Sequence, residues 1–566
     1  MLSFSPGVSL WRRIPAGFEA GEYTALMYVV FAIATFVSVR ELESIERLWA
    51  TLAITGFAAS LVGVFQFHGM AFLDIAQTHH SHTTDTAGNP IFFGALLVLL
   101  APVSMAYLIS RFERAPAHIN RYWLATLFLV TGSFTVSLVT TVSRGPLLGW
   151  VVGLAVFALV AFRCGSINRA KLPVGVVVAS IIGFALLTTV YDPALKTYVT
   201  SPPTDTSGSE TSEEATGDKF GKFKQSSTVR LRFQYWKLAT GIALERPDIP
   251  YAKNLPSAVR WLVGYGPDSY RYVATAEAGI SNYTSRFTAA HNDPINRLVE
   301  QGLLGFIAWM TLWLAIAFAL WRLAQRATKS NSLWLAAALA AALSARFVEQ
   351  LTGSPTAGDV FTFWIFVGFL AIAVFIPNTA TIPGDLEQEI LATRNASSKT
   401  EEKKQIIVGS TVAIVLVVAI FISWNTAGRF FFVNNAGSVL FNAAYLAYDE
   451  ADDQLKQATN LAPEVASYWH VRADLAHGKA DSTASIPEQL AARQTAYEFD
   501  KKAYDANPLE LGNLYRLAFS VWELGKFGDE EKQQETVDIY RRLTTLAPSD
   551  TLAAERFETL YNLLNP

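Results

Sequence analysis

The chain has 566 residues, of which 51% are hydrophobic and only 16% charged, and a mean hydropathy of +0.27. These values exclude an ordinary soluble protein of this length. The formal net charge of -3 decides nothing for a chain divided between compartments, and the single cysteine, Cys164, leaves no disulfide for any outer region.

Crossing a bilayer takes about 20 apolar residues. Runs of that kind lie near residues 23–39, 48–67, 91–110, 122–142, 147–162, 172–190, 301–321, 332–350, 360–376 and 406–423. The chain is therefore expected to be an all-α, polytopic membrane protein of about ten spans. The connecting loops differ in charge, and short loops rich in Lys and Arg stay in the cytoplasm. One set carries Arg40 and Arg47, then Arg111, Arg114 and Arg121, then Arg163, Arg169 and Lys171, then Arg322, Arg326 and Lys329, then Arg394, Lys399, Lys403 and Lys404. The alternate set is nearly bare: neither the loop from His68 to Pro90 nor that from Glu349 to Asp359 contains Lys or Arg. The bare loops and both chain ends are predicted to face outward. An outside N-terminus with no preceding signal or span is unusual, and a chain that lost upstream spans, or a relative that starts late, would account for it.

The expected organisation in chain order begins with an extracytoplasmic segment, 1–22, and spans one to six within 23–190. A long extracytoplasmic loop follows at 191–300, then spans seven to nine within 301–376. A cytoplasmic linker at 377–405, a tenth span at 406–423 and an extracytoplasmic helical domain at 424–566 complete it. The long loop opens with SPPTDTSGSETSEEATGD, whose composition predicts a solvated segment. From Lys219 to Tyr283 it becomes rich in Arg, Lys, Trp and Tyr. Helical spacing in TVRLRFQYWKLATGIALERP and turn chemistry in GYGPDSY suggest a surface that offers cations and aromatic faces to a sugar phosphate. The loop before Gly88 holds His79, His80, His82 and Asp85, but adjacent histidines in a loop rarely converge on one ion, so no metal is expected. Asn282-Tyr-Thr and Asn395-Ala-Ser match the N-glycosylation pattern, which is common by chance.

The region after Asn425 is soluble in composition and helical in pattern. LAP at Leu461, ANP at Ala506 and LAP at Leu546 each close an Ala-rich amphipathic helix. The region looks like degenerate tetratricopeptide repeats, with inserts at Gly478 to Ile486 and Lys526 to Glu531 stretching the roughly 34-residue period. An unrelated helical bundle is the alternative, and either would offer a docking surface.

AAHNDPINRLVEQGLLGFIAW, from Ala289, places a histidine at the threshold of a span. Asp293 and Pro294 read as N-cap and first helical residue, so His291 sits just outside a helix N-terminus whose dipole disfavours positive charge. A neutral imidazole there can act as a base. Arg144 falls at the outer end of a span, with Gly145 next and Pro146 opening the following helix. Its guanidinium suits the paired oxygens of a diphosphate, although arginines at helix ends also reach for the interface without further role.

The ordered set GNPIFFGALLVLLAPVSMA at Gly88, SRGPLLGW at Ser143, VRLRFQYWK with GYGPDSY, and AHNDPINRLVEQGLLGF at Ala290 resembles the O-antigen ligase and polymerase superfamily over roughly residues 20 to 375. The resemblance implies a GT-C type membrane glycosyltransferase. Such an enzyme takes an oligosaccharide from a polyprenyl (undecaprenyl) diphosphate carrier and passes it, with inversion, to a glycan, lipid or protein acceptor outside the cytoplasmic membrane. It implies no metal, no nucleotide sugar and no other cofactor, and no nucleic-acid partner is expected. The family pattern of an arginine with a Trp four residues on favours Arg232, with Trp236, over Arg230. In this scheme Arg144 and Arg232 hold the departing diphosphate while His291 removes the acceptor proton. Arg230, Trp236, Asn292 and Glu300 contact substrate, although capping and helix-surface roles explain Asn292 and Glu300 equally well. The sequence departs from the family where HHSHTTDTAGNP stands in place of an arginine in many relatives.

Two other classes compete. A membrane-anchored scaffold for polysaccharide assembly needs the repeat domain, as a site for a protein partner, but not the arginine and histidine set. A polysaccharide transporter needs charged residues at mid-membrane and inverted repeats, for which Arg346 and Glu349 near one span end are the sole hint. Glycosyl transfer ranks first.

Overall fold

A computed structural model describes, apart from isolated positions, residues 22–38, 42–67, 90–141, 143–164, 228–250, 254–278, 289–327, 330–353, 355–375, 448–461, 465–508, 510–548 and 550–564. The His68 to Pro90 loop, the expected spans at 172–190 and 406–423, the Ser/Thr/acidic stretch, the 377–405 linker and both glycosylation triplets lie outside these residues. The described residues form helices and turns, and the chain folds as a polytopic helical membrane protein. Six helices among them are long and apolar enough to cross a membrane, and Gly358–Val374 is a shorter apolar helix.

The residues divide into two compact units, 26–209 with 310–416, and 1–25 with 210–309 and 417–566. The first holds α1 (Glu22–Ser38, in its greater part), α2 (Leu42–Phe67), α3 (Pro90–Arg114), α4 (Ala117–Thr140) and α5 (Arg144–Cys164). It also contains the later part of α9 (Asp293–Arg326), α10 (Ser330–Gln350) and α11 (Ala357–Phe375). Helix α3 is central, packed against α2, α4, α5, α10 and α11. Its flanks carry small residues because helices in lipid gain their contact energy from close approach. Hydroxyls in this setting must find partners inside the bundle. Ser60 and Ser133 share a hydrogen bond of 2.7 Å, and Ser137 Oγ donates to Ser60 O at 2.6 Å. Arg111 and Arg114, in the last turn of α3 where the helix dipole favours cations, pair with Glu46 at 3.1 and 3.0 Å.

The second unit contains α6 (Thr228–Glu245), α7 (Ser257–Val263), α8 (Tyr270–Ala278) and the first part of α9. With them are six further helices, α12 (Tyr448–Leu461), α13 (Ala466–Ser482), α14 (Ile486–Ala506), α15 (Leu511–Gly525), α16 (Glu530–Leu546) and α17 (Thr551–Leu564). Each of the six packs against the next. The three proline triplets found in the sequence mark the ends of α12, α14 and α16, so the region is a series of helix hairpins.

One expectation is corrected here. The helix that begins at Asp293 does not run unbroken into the membrane: Gly302 has φ 64° and ψ -161° and splits α9 into two arms. In a straight helix Asp293 and Trp309 would stand about 24 Å apart. Instead Trp309 Nε1 donates to Asp293 Oδ2 at 2.8 Å, so the first arm folds back beside the start of the second.

Candidate active site

The site is built on α6, α7, α8 and the first arm of α9. Tyr235, Leu238, Ala239, Ile242 and Ala243 are buried at helical spacing on one face of α6, in a core shared with Tyr270, Val273, Ala274, Ala290 and Val299. Each such side chain taken out of water contributes roughly 1.5–3 kcal/mol for the larger residues. That core fixes the turn before α9. Asn296 Oδ1 accepts from Ala290 N at 3.1 Å, and Asn292 Oδ1 accepts from Ile295 N at 3.1 Å. Asn292 is therefore the N-cap, and Asp293 and Pro294 are the first two helical residues, so the helix starts one residue earlier than the sequence suggests. The hydrogen bond from Trp309 explains why Asp293 is not the cap: its carboxylate is engaged elsewhere.

His291 lies between these anchors with φ 51°. Its ring stacks on Tyr235, centroids 5.8 Å apart and planes inclined by 24°, and its carbonyl accepts from Trp236 Nε1 at 3.3 Å. Burial, and then the charge of Arg232, lower the His291 pKa to about 4. The imidazole is neutral at physiological pH, and the causes are its burial and the neighbouring guanidinium. Arg246, Asp268 and His291 are the non-glycine residues with positive φ among the described residues, and all three lie in this region. Backbone strain of about 1–3 kcal/mol at each is held by the packing around it, a pattern that concentrates at functional sites.

The GYGPDSY segment supports the break in α9. The carbonyls that end the first arm have no helical partner of their own. Arg246 donates to Val299 O at 3.1 Å and to Leu298 O at 2.8 Å, Tyr265 N to Val299 O at 3.2 Å, and Gly266 N to Glu300 O at 2.7 Å. Gly264, with φ 68°, lies against Gly302, and a β-carbon on either would run into the other's backbone or its neighbours. Arg260 lies 4.8 Å from the Tyr265 ring centroid, and its Nη1 donates to Gly264 O at 3.0 Å. Burial pushes the Tyr265 hydroxyl up and lowers both arginines. Arg246, Arg260 and Tyr265 are thus part of the internal frame, where the sequence suggested a cationic and aromatic surface.

The expected site residues are distributed as follows. Arg232 and Trp236 lie half-buried on α6 beside the His291 turn. Arg230 lies in the first turn of the same helix. Asn292 caps α9, and Glu300 is buried, its Oε1 accepting from Tyr270 N at 3.0 Å at the start of α8. Arg144 is exposed and is the first residue of α5, which opens there and not at Pro146, because Ser143 O already accepts from Leu147 N at 3.2 Å. It belongs to the other unit. A β-carbon on Gly94 of α3 would come 2.7 Å from Pro146, so the GNPIFFG and SRGP motifs meet. Tyr235, Arg246 and the Gly264 and Gly302 pair were not marked by sequence reasoning as site-forming. Two glycines flanking a tyrosine was the available signal. His79, His80, His82 and Asp85 lie outside the described residues.

No curated protein matches the chain. The family model described as O-Antigen ligase matches residues 125–310, from α4 through the His291 turn and past the Gly302 break, so the chain carries the domain of the O-antigen ligase superfamily, a family of membrane glycan ligases and polymerases.

Proposed function

We propose that this protein transfers an oligosaccharide from a polyprenyl diphosphate carrier to an acceptor hydroxyl on the outer side of the cytoplasmic membrane, inverting the anomeric carbon. The observation that carries the reading is His291: a strained, stacked imidazole held neutral beside Arg232, within the matched stretch. In the transfer the acceptor oxygen bonds to the anomeric carbon as the bond from that carbon to the carrier diphosphate breaks. His291 takes the acceptor proton and later returns it to water.

Arg232 serves both halves of the step. Without donor, its charge helps to depress the His291 pKa. A bound diphosphate offsets that charge, so the imidazole becomes a stronger base when the donor is loaded. Arg144 and Arg230 lie in the first turns of α5 and α6, where the helix dipole disfavours a cation and favours an anion. An anion at either position is attracted by arginine and helix together. We assign Arg144 and Arg232 to the diphosphate, where they stabilise the departing group without requiring a proton or metal. Arg230 and Trp236 contact the donor, and Asn292 and Glu300 act through the backbone they cap. The helix hairpins of 448–564 are read as tetratricopeptide-like and as the acceptor or partner surface.

The test is transfer from a lipid-linked donor, followed by mass spectrometry in membranes carrying wild type or His291→Ala. Loss of transfer with donor binding retained is expected. Wild-type transfer by a folded His291→Ala protein would remove the general-base assignment.

A further inference from the structure

Within the membrane unit, one guanidinium joins two carboxylates with no access to solvent. Arg346 on α10 pairs with Glu349 one turn later and with Asp359 on α11, and all three side chains are 0% exposed. Asp359 also makes the return half of a capping box, its Oδ1 accepting from Thr356 N at 2.6 Å, and the helix opens there with Val360 N donating to Thr356 O at 3.0 Å. A single side chain therefore ties the end of α10 to the start of α11.

The same end of α10 lies against the helix that begins with Arg144. Gly145, Gly149 and Gly153 bring α5 onto α10. A β-carbon on Gly149 would lie 2.6 Å from Ala345 O and 3.5 Å from Glu349 Cβ, and one on Gly153 3.0 Å from Ala341 O. One on Gly145 would collide with Thr352, whose backbone N–H donates to Glu349 O at 2.9 Å. The residue after Arg144 thus rests on the turn that Glu349 organises. Buried ion clusters contribute little stability over an apolar replacement of the same shape. Their charges are costly at membrane depth and tend to mark function.

We propose that Arg346, Glu349 and Asp359 are positioning residues for donor binding, holding the first turn of α5 so that Arg144 is presented to the carrier diphosphate. The inference rests on the proposed role of Arg144. Arg346→Lys keeps the charge but loses the planar fork that reaches two carboxylates, so Arg144 is left in place and misdirected.

The test is a double-mutant cycle on the full chain in lipid nanodiscs, with undecaprenyl diphosphate as the titrated probe. Arg144→Ala is expected to weaken Kd by about ten- to a hundredfold and Arg346→Lys by about tenfold. The double variant should bind no more weakly than Arg144→Ala alone, because a misdirected arginine that is already absent costs nothing further. A cluster that only supports the fold would lower the melting temperature and leave Kd unchanged in the folded fraction, or give additive losses, and either result overturns the inference. Should Arg346→Lys fail to fold, the neutral replacement of all three (Arg346→Met, Glu349→Gln, Asp359→Asn) substitutes for it, with wild-type Kd as the refuting result. If Arg144→Ala itself leaves Kd unchanged, the donor role of Arg144 fails and this inference falls with it. If Arg144→Ala weakens binding while the cycle is additive, only the positioning role fails.

Discussion

Gly302→Ala tests whether the break in α9 forms the site. At φ 64° and ψ -161° the backbone occupies a region essentially open to glycine alone, and an alanine there costs about 1–3 kcal/mol. Its β-carbon would also lie 2.5 Å from Gly264 N and from Leu262 C and O, all backbone atoms that cannot turn away, adding about 1–3 kcal/mol of overpacking. Together these give about 2–6 kcal/mol, a large part of the roughly 5–15 kcal/mol that holds a domain folded. The chain has an alternative: alanine favours continuing the helix, which would line up the two arms and break the contact between Trp309 and Asp293. The turn at Ala290 to Asn292 would lose its anchor. Hydrogen exchange on the full chain in nanodiscs should show loss of protection at 289–301 while α3 and α10 stay protected, and glycan transfer should fall at least tenfold. Gly132→Ala is the control, since nothing lies within 4 Å of a β-carbon at that position, and alanine in a helix interior is neutral or better by up to about 1 kcal/mol. Wild-type protection and transfer in Gly302→Ala would show that the break is not needed.

The pH dependence follows from the His291 pKa of about 4. The folded value lies below the unfolded one of about 6.5, so the unfolded chain binds the proton first. This residue's share of stability is full above about pH 6.5 and is lost as pH falls through 4. The acid limb of kcat/KM should accordingly lie near pH 4, and Arg232→Ala should move it upward by removing a repelling charge; an unmoved limb would refute the coupling. Arg232→Ala should cost about 1.5–3 kcal/mol, or one to two decades in rate or affinity, with Lys restoring only part; full rescue by Lys would argue against a forked contact. Cysteines placed at Ser207 and Ser549 should react with an impermeant thiol reagent in intact cells, and protection of both would overturn the outward topology. A chain truncated after Trp424 should keep donor binding and lose transfer to its natural acceptor. Tyr272 of α8 lies beside Asn507 and Glu510, and loss of donor binding in a folded truncation would mean that the hairpins help to build the site.

Much of the architecture is legible without coordinates because it follows from local properties. Apolar length marks α2 to α5, α10 and α11, and the spacing of Tyr235, Leu238, Ala239, Ile242 and Ala243 marks α6 and its buried face. The proline triplets mark helix ends after Leu461, Ala506 and Leu546. His291, Arg144 and Arg232 stand out by residue type and by the order of their motifs. Other features depend on partners distant in sequence. EQGLLGF reads as the apolar continuation of a helix, and only Gly264, 38 positions earlier in the numbering, makes a break at Gly302 favourable. The cap passes from Asp293 to Asn292 because Trp309 engages the aspartate. Arg246, Arg260 and Tyr265 have the composition of a phosphate-binding surface, yet they are buried: Arg246 and the Tyr265 backbone N–H supply donors to the carbonyls that end the first arm, and Arg260 braces the turn through Gly264 O. The same holds for Arg346, whose two carboxylates lie on different helices. Hydropathy and spacing report what each segment prefers alone, whereas the site depends on which backbone groups a fold leaves without partners and which distant side chains reach them.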